Sequence, residues 1–527
     1  MASLTEIYGE ALAAYKANDY DKALAVADDF LASGVMYGRF FLLKAYVFRD
    51  TGRYAEEMEI LQELLRAEEQ AGGKEKDILA TAWSLLGSVC TTLGETEAAV
   101  DYFLLSADYE QDFCARCNEY SNAIFAANYC ENFSAARWQE LYAGYRALLG
   151  DIEPLCLRNH GAYGHERLRI GYLSADFVRH PVAYFVRPLL EFCDREKFAI
   201  YLYHAGEMED DVSAHIFGWA DEVRRISKLS HREAAEVMAA DEIDVLVDLS
   251  GHTRNNRLPI LAYRPAPKIL SGIGYFNSIG MDIDGFLSDE YCCQGAEKTG
   301  VVCREKAFYE PLLPLGRTHF CYNMWEPYPR PADEPPCFKN GYITFGCFNN
   351  FSKVTDHMLK LWRNIIDNVP KSRLLLKHKL FDSAEGREWT LQRLRKLGFP
   401  VERVEFQGFS ADYLECYRQV DIALDTFPYV GGLTTIEALM MGVPVVTKYG
   451  SRHGTRFGLS FLSNLGLAEL AAADDAGYLE RAVMLAQNMD ILTYLHKNLR
   501  HMLQTSPLMD GYSYCREVET LYLKLRE

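Results

Sequence analysis

The chain lacks any uncharged run approaching the roughly 18 residues of a membrane span, and its start, MASLTEIYGE, has neither the basic head nor the apolar stretch of a secretory signal. A cytoplasmic protein with no membrane partner is therefore expected. Positive charge is also scarce: 55 Lys+Arg stand against 74 Asp+Glu, a net charge of -19. That balance disfavours DNA, RNA and anionic lipid, so no nucleic-acid partner is expected and any phosphate-bearing ligand needs a local site. The 14 cysteines, including the pair Cys292-Cys293, are scattered among apolar residues as buried reduced thiols would be. Cys114-Ala-Arg-Cys117 has no second pair to complete it and lies in a helical stretch, so no metal is expected.

What is present is apolar mass: 49% of 527 residues are hydrophobic and 24% charged, enough for about three domains with their own cores. Residues 1–150 read as wholly helical, with a recurring unit. Asn18-Asp19-Tyr20 is followed 34 positions later by Gly52-Arg53-Tyr54 and, after a longer interval of 42, by Gly94-Glu95-Thr96. Trp83-Ser-Leu-Leu86-Gly87 fits the W-x2-L-G opening of a tetratricopeptide repeat. A short solenoid follows, whose concave face either holds extended peptide or docks on its neighbour and stiffens it.

From Leu168 the periodicity changes to short β-rich runs separated by helix-length segments: 168–174, 198–203, 243–248 and 268–271. Five prolines between Glu326 and Cys337 interrupt the pattern, which restarts at 342–345, 373–377, 404–406, 422–424 and 443–447. The expected fold class is α/β: a helical domain over 1–150, a Rossmann-like lobe over 165–326 and a second over 338–527, with a ligand cleft at the carboxyl ends of two sheets.

Phosphate chemistry points to the second lobe. In Leu424-Asp-Thr-Phe-Pro-Tyr-Val-Gly431-Gly432-Leu-Thr434-Thr435-Ile-Glu437, a strand enters a diglycine turn and then a helix, whose free N–H groups and dipole attract an anion. Glu437 is placed to accept from ribose hydroxyls. Lys353, in Cys347-Phe-Asn349-Asn350-Phe-Ser-Lys353, follows a strand end and either supplies the cation that a departing diphosphate needs or is a solvated surface lysine. In the first lobe, Ser174-Ala-Asp176-Phe-Val-Arg-His180-Pro181 and Gly251-His252-Thr253 put two histidines at sheet ends facing the cleft, as proton acceptors, hydroxyl-binding groups or structural residues. Met281-Asp282-Ile-Asp284 imitates a metal-binding DxD but lacks its fold context and reads as a loop.

Taken in order, the repeats, RIGYLSADF-x-x-HP, GHT, YRPAP at 263–267, GxGY at 272–275, CFN-x-x-x-K and LDT with GG-x-TT-x-E resemble the O-linked N-acetylglucosamine transferase / SPINDLY family of protein glycosyltransferases. The resemblance covers nearly the whole chain. It implies an inverting, metal-independent GT-B enzyme without cofactor that moves N-acetylglucosamine or glucose from a UDP-sugar to protein Ser/Thr. The repeats would hold the acceptor, and self-association stays open. By the same resemblance Lys353, Thr434 and Thr435 contact the diphosphate and Glu437 the ribose. Asn349, Asn350, Gln407 and Tyr413 lie near the nucleotide, and Gly431 and Gly432 form the turn. His180 serves as catalytic group with Asp176 and His252 in reserve, and Gly274, Tyr275 and Phe276 form the sugar loop. The chain departs from the family at Tyr413 and Cys416, where His and Arg are common, at Leu433 in place of an imidazole, and at Phe276. Transfer to Asn, or a decayed tetratricopeptide scaffold, are the alternatives.

Overall fold

The computed structural model describes residues 3–155, 163–293, 297–299, 302–306 and 308–526. It opens with α1 (Leu4–Lys16), α2 (Tyr20–Leu31), α3 (Gly38–Asp50), α4 (Tyr54–Gln70), α5 (Lys76–Leu93), α6 (Thr96–Tyr109), α7 (Phe113–Ala127) and α8 (Ala135–Leu148). The three repeated turns fall at the α1–α2, α3–α4 and α5–α6 junctions, where a polar residue can leave the helix. At the first of them the Asp19 carboxylate accepts the Lys22 N–H at 3.3 Å and so caps α2. Trp83 of the repeat motif stacks on Tyr102, ring centres 5.3 Å apart, joining α5 to α6. Cys117 is buried within α7 and burial pushes its thiol up to about 12, which suits a structural cysteine.

The solenoid is fastened to both lobes. Asn128, next after α7, donates to the Tyr275 hydroxyl at 3.0 Å and accepts from Asn277 at 2.8 Å. Arg146 of α8 donates to the Gly280 carbonyl at 3.0 Å. Glu131 bonds His357 at 2.7 Å, and Trp389 of the helix Ala384–Lys396 joins the apolar cluster of α3 to α5. A rigid dock is therefore part of the solenoid's role.

The first sheet holds β1 (Leu168–Ser174), β2 (Phe198–His204), β3 (Glu222–Arg225), β4 (Val245–Asp248), β5 (Lys268–Ser271), β6 (Gly285–Asp289), β7 (Glu297–Thr299), β8 (Val302–Arg304) and β9 (Leu312–Leu315). Their order is β3-β2-β1-β4-β5-β6-β9-β8-β7, parallel except where β8 pairs with β9 and β7. The second sheet, β10 (Ile343–Cys347), β11 (Ser372–Lys377), β12 (Val404–Gln407), β13 (Ile422–Leu424), β14 (Val445–Lys448) and β15 (Ala471–Ala472), runs β12-β11-β10-β13-β14-β15 and is parallel throughout. Both sheets carry the doubly wound order in which the first and fourth strands adjoin while their connections leave in opposite directions. The gap so formed past their carboxyl ends is where such folds bind ligands.

One boundary differs from the sequence reading. The last helix, Gly511–Arg526, lies within the expected second lobe but packs on α9 (Pro181–Glu191) of the first. Glu519 accepts the Asp194 N–H at 2.8 Å and the Tyr522 hydroxyl meets Tyr172 of β1 at 3.2 Å. A sequence shows the amphipathic stripe of this helix and not which lobe covers it. The proline-rich connection is pinned where Arg418 donates to the Arg330 carbonyl at 2.7 Å and Asp421 accepts the Cys337 N–H at 2.9 Å. No helix among the described residues is long and apolar enough to cross a membrane.

Candidate functional site at the two switch points

In the second lobe, β10 ends in Cys347 and β13 in Leu424, and the residues past these ends face one another across the gap. Asp425, fully buried, organises them. Its carboxylate accepts from Gly431 N–H at 2.7 Å, Thr426 N–H at 2.9 Å, the Thr447 hydroxyl at 2.7 Å and Asn349 Nδ2 at 3.3 Å. Burial still raises its pKa, against those donors and the nearby Lys353. The diglycine turn is thus locked from inside. A Cβ on Gly431 would stand 2.5 Å from Thr435 Oγ1 and 3.0 Å from the Asp425 carboxylate, so this position admits no side chain.

The helix Leu433–Met440 starts at this turn; the Thr435 and Ile436 N–H groups go to the Gly432 carbonyl at 3.1 and 3.3 Å, which leaves those of Leu433 and Thr434 as the donors at its tip. The N–H of Gly431 is not among the free donors, because Asp425 takes it. The Thr434 hydroxyl donates to Asn349 Oδ1 at 2.8 Å and Thr435 is buried; Asn350 caps the short turn Phe351–Lys353 and is exposed. Lys353 is half-buried beside this helix start. Its Nζ donates to the Val430 carbonyl at 3.1 Å and sits 3.8 Å from the centre of the Tyr429 ring. Burial lowers its pKa to about 8, with Asp425 opposing.

Glu437, one turn further, is buried and its pKa is pushed up to about 7 by burial. It accepts a short hydrogen bond from the Tyr413 hydroxyl, so Tyr413, expected near the nucleotide, occupies the carboxylate. Tyr413 itself is more than one third exposed. Gln407 ends β12 and pairs with Gln419 at 2.9 Å, a contact separate from the Asp425 and Glu437 bonds. From the first lobe, Tyr184 of α9 stacks on Tyr322, ring centres 5.4 Å apart, and Tyr322 meets the Tyr328 hydroxyl at 2.8 Å. The Glu437 charge helps raise the pKa of Tyr184 and Tyr328, which places this group of tyrosines around it.

The first lobe repeats the device. Asp248, at the end of β4, is buried and accepts from Gly251 N–H and from the Ser271 hydroxyl, both at 2.8 Å. Across the gap from it, His180 caps α9, is half-buried, and has Nδ1 3.4 Å from the Val182 N–H and 3.7 Å from Asp176. Burial raises the pKa of Asp176, with His180 opposing.

His252 corrects the expectation that both histidines face the cleft. It is buried, with Nδ1 2.9 Å from Ser121 Oγ of α7 and Nε2 2.9 Å from the Ile279 carbonyl, and burial lowers its pKa to about 4. Nδ1 thereby fastens the solenoid and Nε2 the lobe's own 272–280 loop, so both ring nitrogens are spent. The sugar loop is corrected likewise. Tyr275 is buried with its hydroxyl on Asn128, and Phe276 is buried against Tyr429, ring centres 4.1 Å apart. A Cβ on Gly274 would fall 1.7 Å from the Leu249 carbonyl, so this glycine permits a backbone crossing. The neighbouring Ile273 holds φ at 65, a conformation that β-branched residues avoid.

Known proteins agree with this architecture. The family described as Glycosyl transferase family 41 matches residues 149–316 and 337–518. This chain belongs to that family. A protein of Solanum lycopersicum named "Probable UDP-N-acetylglucosamine--peptide N-acetylglucosaminyltransferase SPINDLY" is 33% identical over 417 residues, 77% of this chain and 44% of its own length. The Arabidopsis thaliana protein of the same name is 35% identical over 366 residues, 67% of this chain and 39% of its own. The chain thus spans less than half the length of these two relatives. A solved O-GlcNAc transferase of Thermobaculum terrenum, in a mutant form, superposes with a TM-score of 0.82 at 25% identity, over 100% of this chain and 98% of that one. The fold is accordingly GT-B, as the two doubly wound lobes require.

Within this family 41 chain, sequence reasoning missed Asp425, Tyr184, Tyr322 and Tyr328. Asp425 was in view as the residue after a buried strand, where a carboxylate is affordable only if the next turn donates to it. The tyrosines carry no local pattern, because they come from a helix and from the interlobe connection.

Proposed function

We propose that this chain transfers a sugar, N-acetylglucosamine or glucose, from a UDP-sugar to a Ser or Thr hydroxyl of an acceptor protein, with inversion and with no metal in the reacting site. One observation carries the reading: the second sheet's switch point brings Asn349, Lys353, Thr434 and Glu437 to a single helix start. The helix N–H groups and Lys353 face the diphosphate, and Glu437 with Tyr413 faces the ribose. The names of the SPINDLY relatives, which carry a UDP-sugar and a peptide acceptor, support the same substrate classes.

In the reaction the acceptor oxygen attacks the anomeric carbon from the face opposite the diphosphate. The carbon–oxygen bond to phosphate breaks, and its electron pair leaves with UDP. Lys353 and the helix start stabilise that charge, a contribution of roughly 3 kcal/mol for each well-placed donor in a dry site. In the first lobe, His180 Nδ1 accepts the Val182 N–H, which leaves the proton on Nε2 and makes the ring a donor that orients a hydroxyl. Asp176, whose basicity burial raises, takes the acceptor proton. A groove of about 770 Å³ between α4, α5 and α6, lined by Arg66, Trp83 and Tyr102, is the seat for an extended acceptor segment.

The test is a donor panel of UDP-N-acetylglucosamine, UDP-glucose and other nucleotide sugars, scored for free nucleoside diphosphate, with intact-mass measurement of the acceptor. Gain of one N-acetylhexosamine or hexose mass on a Ser/Thr peptide is expected. Absence of transfer with every donor, together with no UDP binding by calorimetry, overturns the proposal.

A further inference from the structure

Away from the diphosphate site, three buried side chains from the two lobes converge. Cys292 follows β6, His319 follows β9, and His453 follows β14 in the second lobe. One ligand atom of each lies within 4.8 Å of the other two. His319 Nδ1 meets Asp289 Oδ2 at 2.6 Å; a carboxylate accepts, so this nitrogen carries the proton and Nε2 keeps a lone pair. That Nε2 is buried and has no hydrogen-bond partner. His453 Nδ1 faces the Phe276 carbonyl at 3.0 Å, which also accepts, so its Nε2 lone pair is turned to the Ser288 hydroxyl at 2.8 Å.

Two neutral imidazoles with oriented Nε2 lone pairs, beside a thiol, are what a borderline-soft divalent ion needs, and nothing in the sugar-transfer reaction uses them. We propose that Cys292, His319 and His453 bind one zinc ion, which clasps the first lobe to the second beside the Phe276 carbonyl. Carboxylate and carbonyl partners on the far ring nitrogens are the supports that metal-bound histidines take. Asp289 is further held by the Cys292 N–H at 2.8 Å and the Ser460 hydroxyl at 2.7 Å, so the orienting carboxylate is itself fixed.

The charges close: on binding, the Cys292 thiol releases its proton to solvent, and thiolate plus the Asp289 carboxylate offset the two positive charges of the ion. Tetrahedral bond lengths set ligand separations of about 3.3–3.6 Å, so the three side chains draw together by about 1 Å. On binding, the Ser288 hydroxyl gives up its hydrogen bond to His453 Nε2, and its oxygen supplies the fourth position. All three side chains are buried and none belongs to the diphosphate site, so the ion is structural and the transfer step stays independent of it.

The experiment is metal analysis of the purified full chain after equilibration with zinc and exhaustive dialysis, beside cobalt titration followed by absorbance. About one zinc per chain is expected, with a thiolate-to-cobalt charge-transfer band. Cys292→Ser should lose the band, and Cys292→Ser and His319→Gln should each hold less than about a tenth of an equivalent. Cys114→Ser, which alters an exposed thiol elsewhere, should keep both signals. Wild-type chain that holds no zinc and gives no cobalt band overturns the proposal, and that readout stands even if a variant fails to fold. Full zinc retention by folded Cys292→Ser overturns it equally.

Discussion

Lys353 Nζ lies 3.8 Å from the centre of the Tyr429 ring and takes the Val430 carbonyl as its hydrogen-bond acceptor, while Tyr429 rests on Phe276 of the other lobe. A ring face and a carbonyl hold an ammonium more weakly than an anion does. The lysine is therefore kept in place between the lobes without its charge being neutralised, which is the state a diphosphate-binding cation requires. Phe276, expected to shape the sugar pocket, instead wedges the aromatic support of that cation.

Replacing Lys353 by Met should lower turnover at least about 100-fold, the usual cost of losing one charge-stabilising donor in a closed site. The melting temperature should hold or rise, because a partly desolvated charge is removed. Turnover numbers and thermal melts check this together. Near-normal transfer by Lys353→Met would take the lysine out of the mechanism.

Because the Lys353 pKa is depressed to about 8, its charge is lost as pH rises through that value. The UDP dissociation constant should then rise by up to about tenfold per pH unit above 8. Stability moves the other way: between about 8 and 10.5 the unfolded chain binds the lysine proton more tightly, so this group makes the fold more stable as pH rises. Weakened binding in that window is therefore not unfolding. Calorimetry from pH 7 to 9.5 checks the slope, and Lys353→Met should show none.

The two sheets were legible because buried parallel strands read as short apolar runs, and 168–174, 268–271 and 422–424 coincide with observed strands. The diglycine turn and Lys353 were legible for a related reason, since each follows directly on a strand end in the chain. Legibility failed where partners are distant in sequence. His252 looks like a cleft histidine until Ser121, 131 residues earlier, is found on its ring. The tyrosines around Glu437 come from three separate segments, and only the folded chain brings them together.

Glu437 predicts a second pH effect of opposite sign. Its pKa is raised to about 7, so the folded chain keeps a proton that the unfolded chain releases above about 4.5. This group's contribution to stability is present below that value, falls as pH climbs to about 7, and stays lost above it, a change of about 3 kcal/mol at most. Glu437→Gln keeps an acceptor for Tyr413 without the charge. It should melt higher than wild type at pH 8, match it near pH 4.5, and bind UDP-sugar about tenfold more weakly. A lower melting temperature at pH 8 would show that the carboxylate is not the strained partner.

The two histidines of the first lobe should separate cleanly. His252→Ala removes two buried hydrogen bonds and strands the Ser121 hydroxyl and Ile279 carbonyl, a loss of about 2–4 kcal/mol. Turnover per folded molecule should stay within a few-fold of wild type, since the ring does not reach the cleft. His180→Ala removes a half-exposed ring with one long hydrogen bond, so its melting temperature should hold while turnover falls about 10- to 100-fold. Asp176→Asn should fall further, by about 100-fold or more, if it is the proton acceptor. Thermal melts and turnover on one set of proteins decide all three. Should His252→Ala lose turnover at full stability, the division between a fastening and a reacting histidine is wrong, and the solenoid contact through Ser121 would have to move during the reaction.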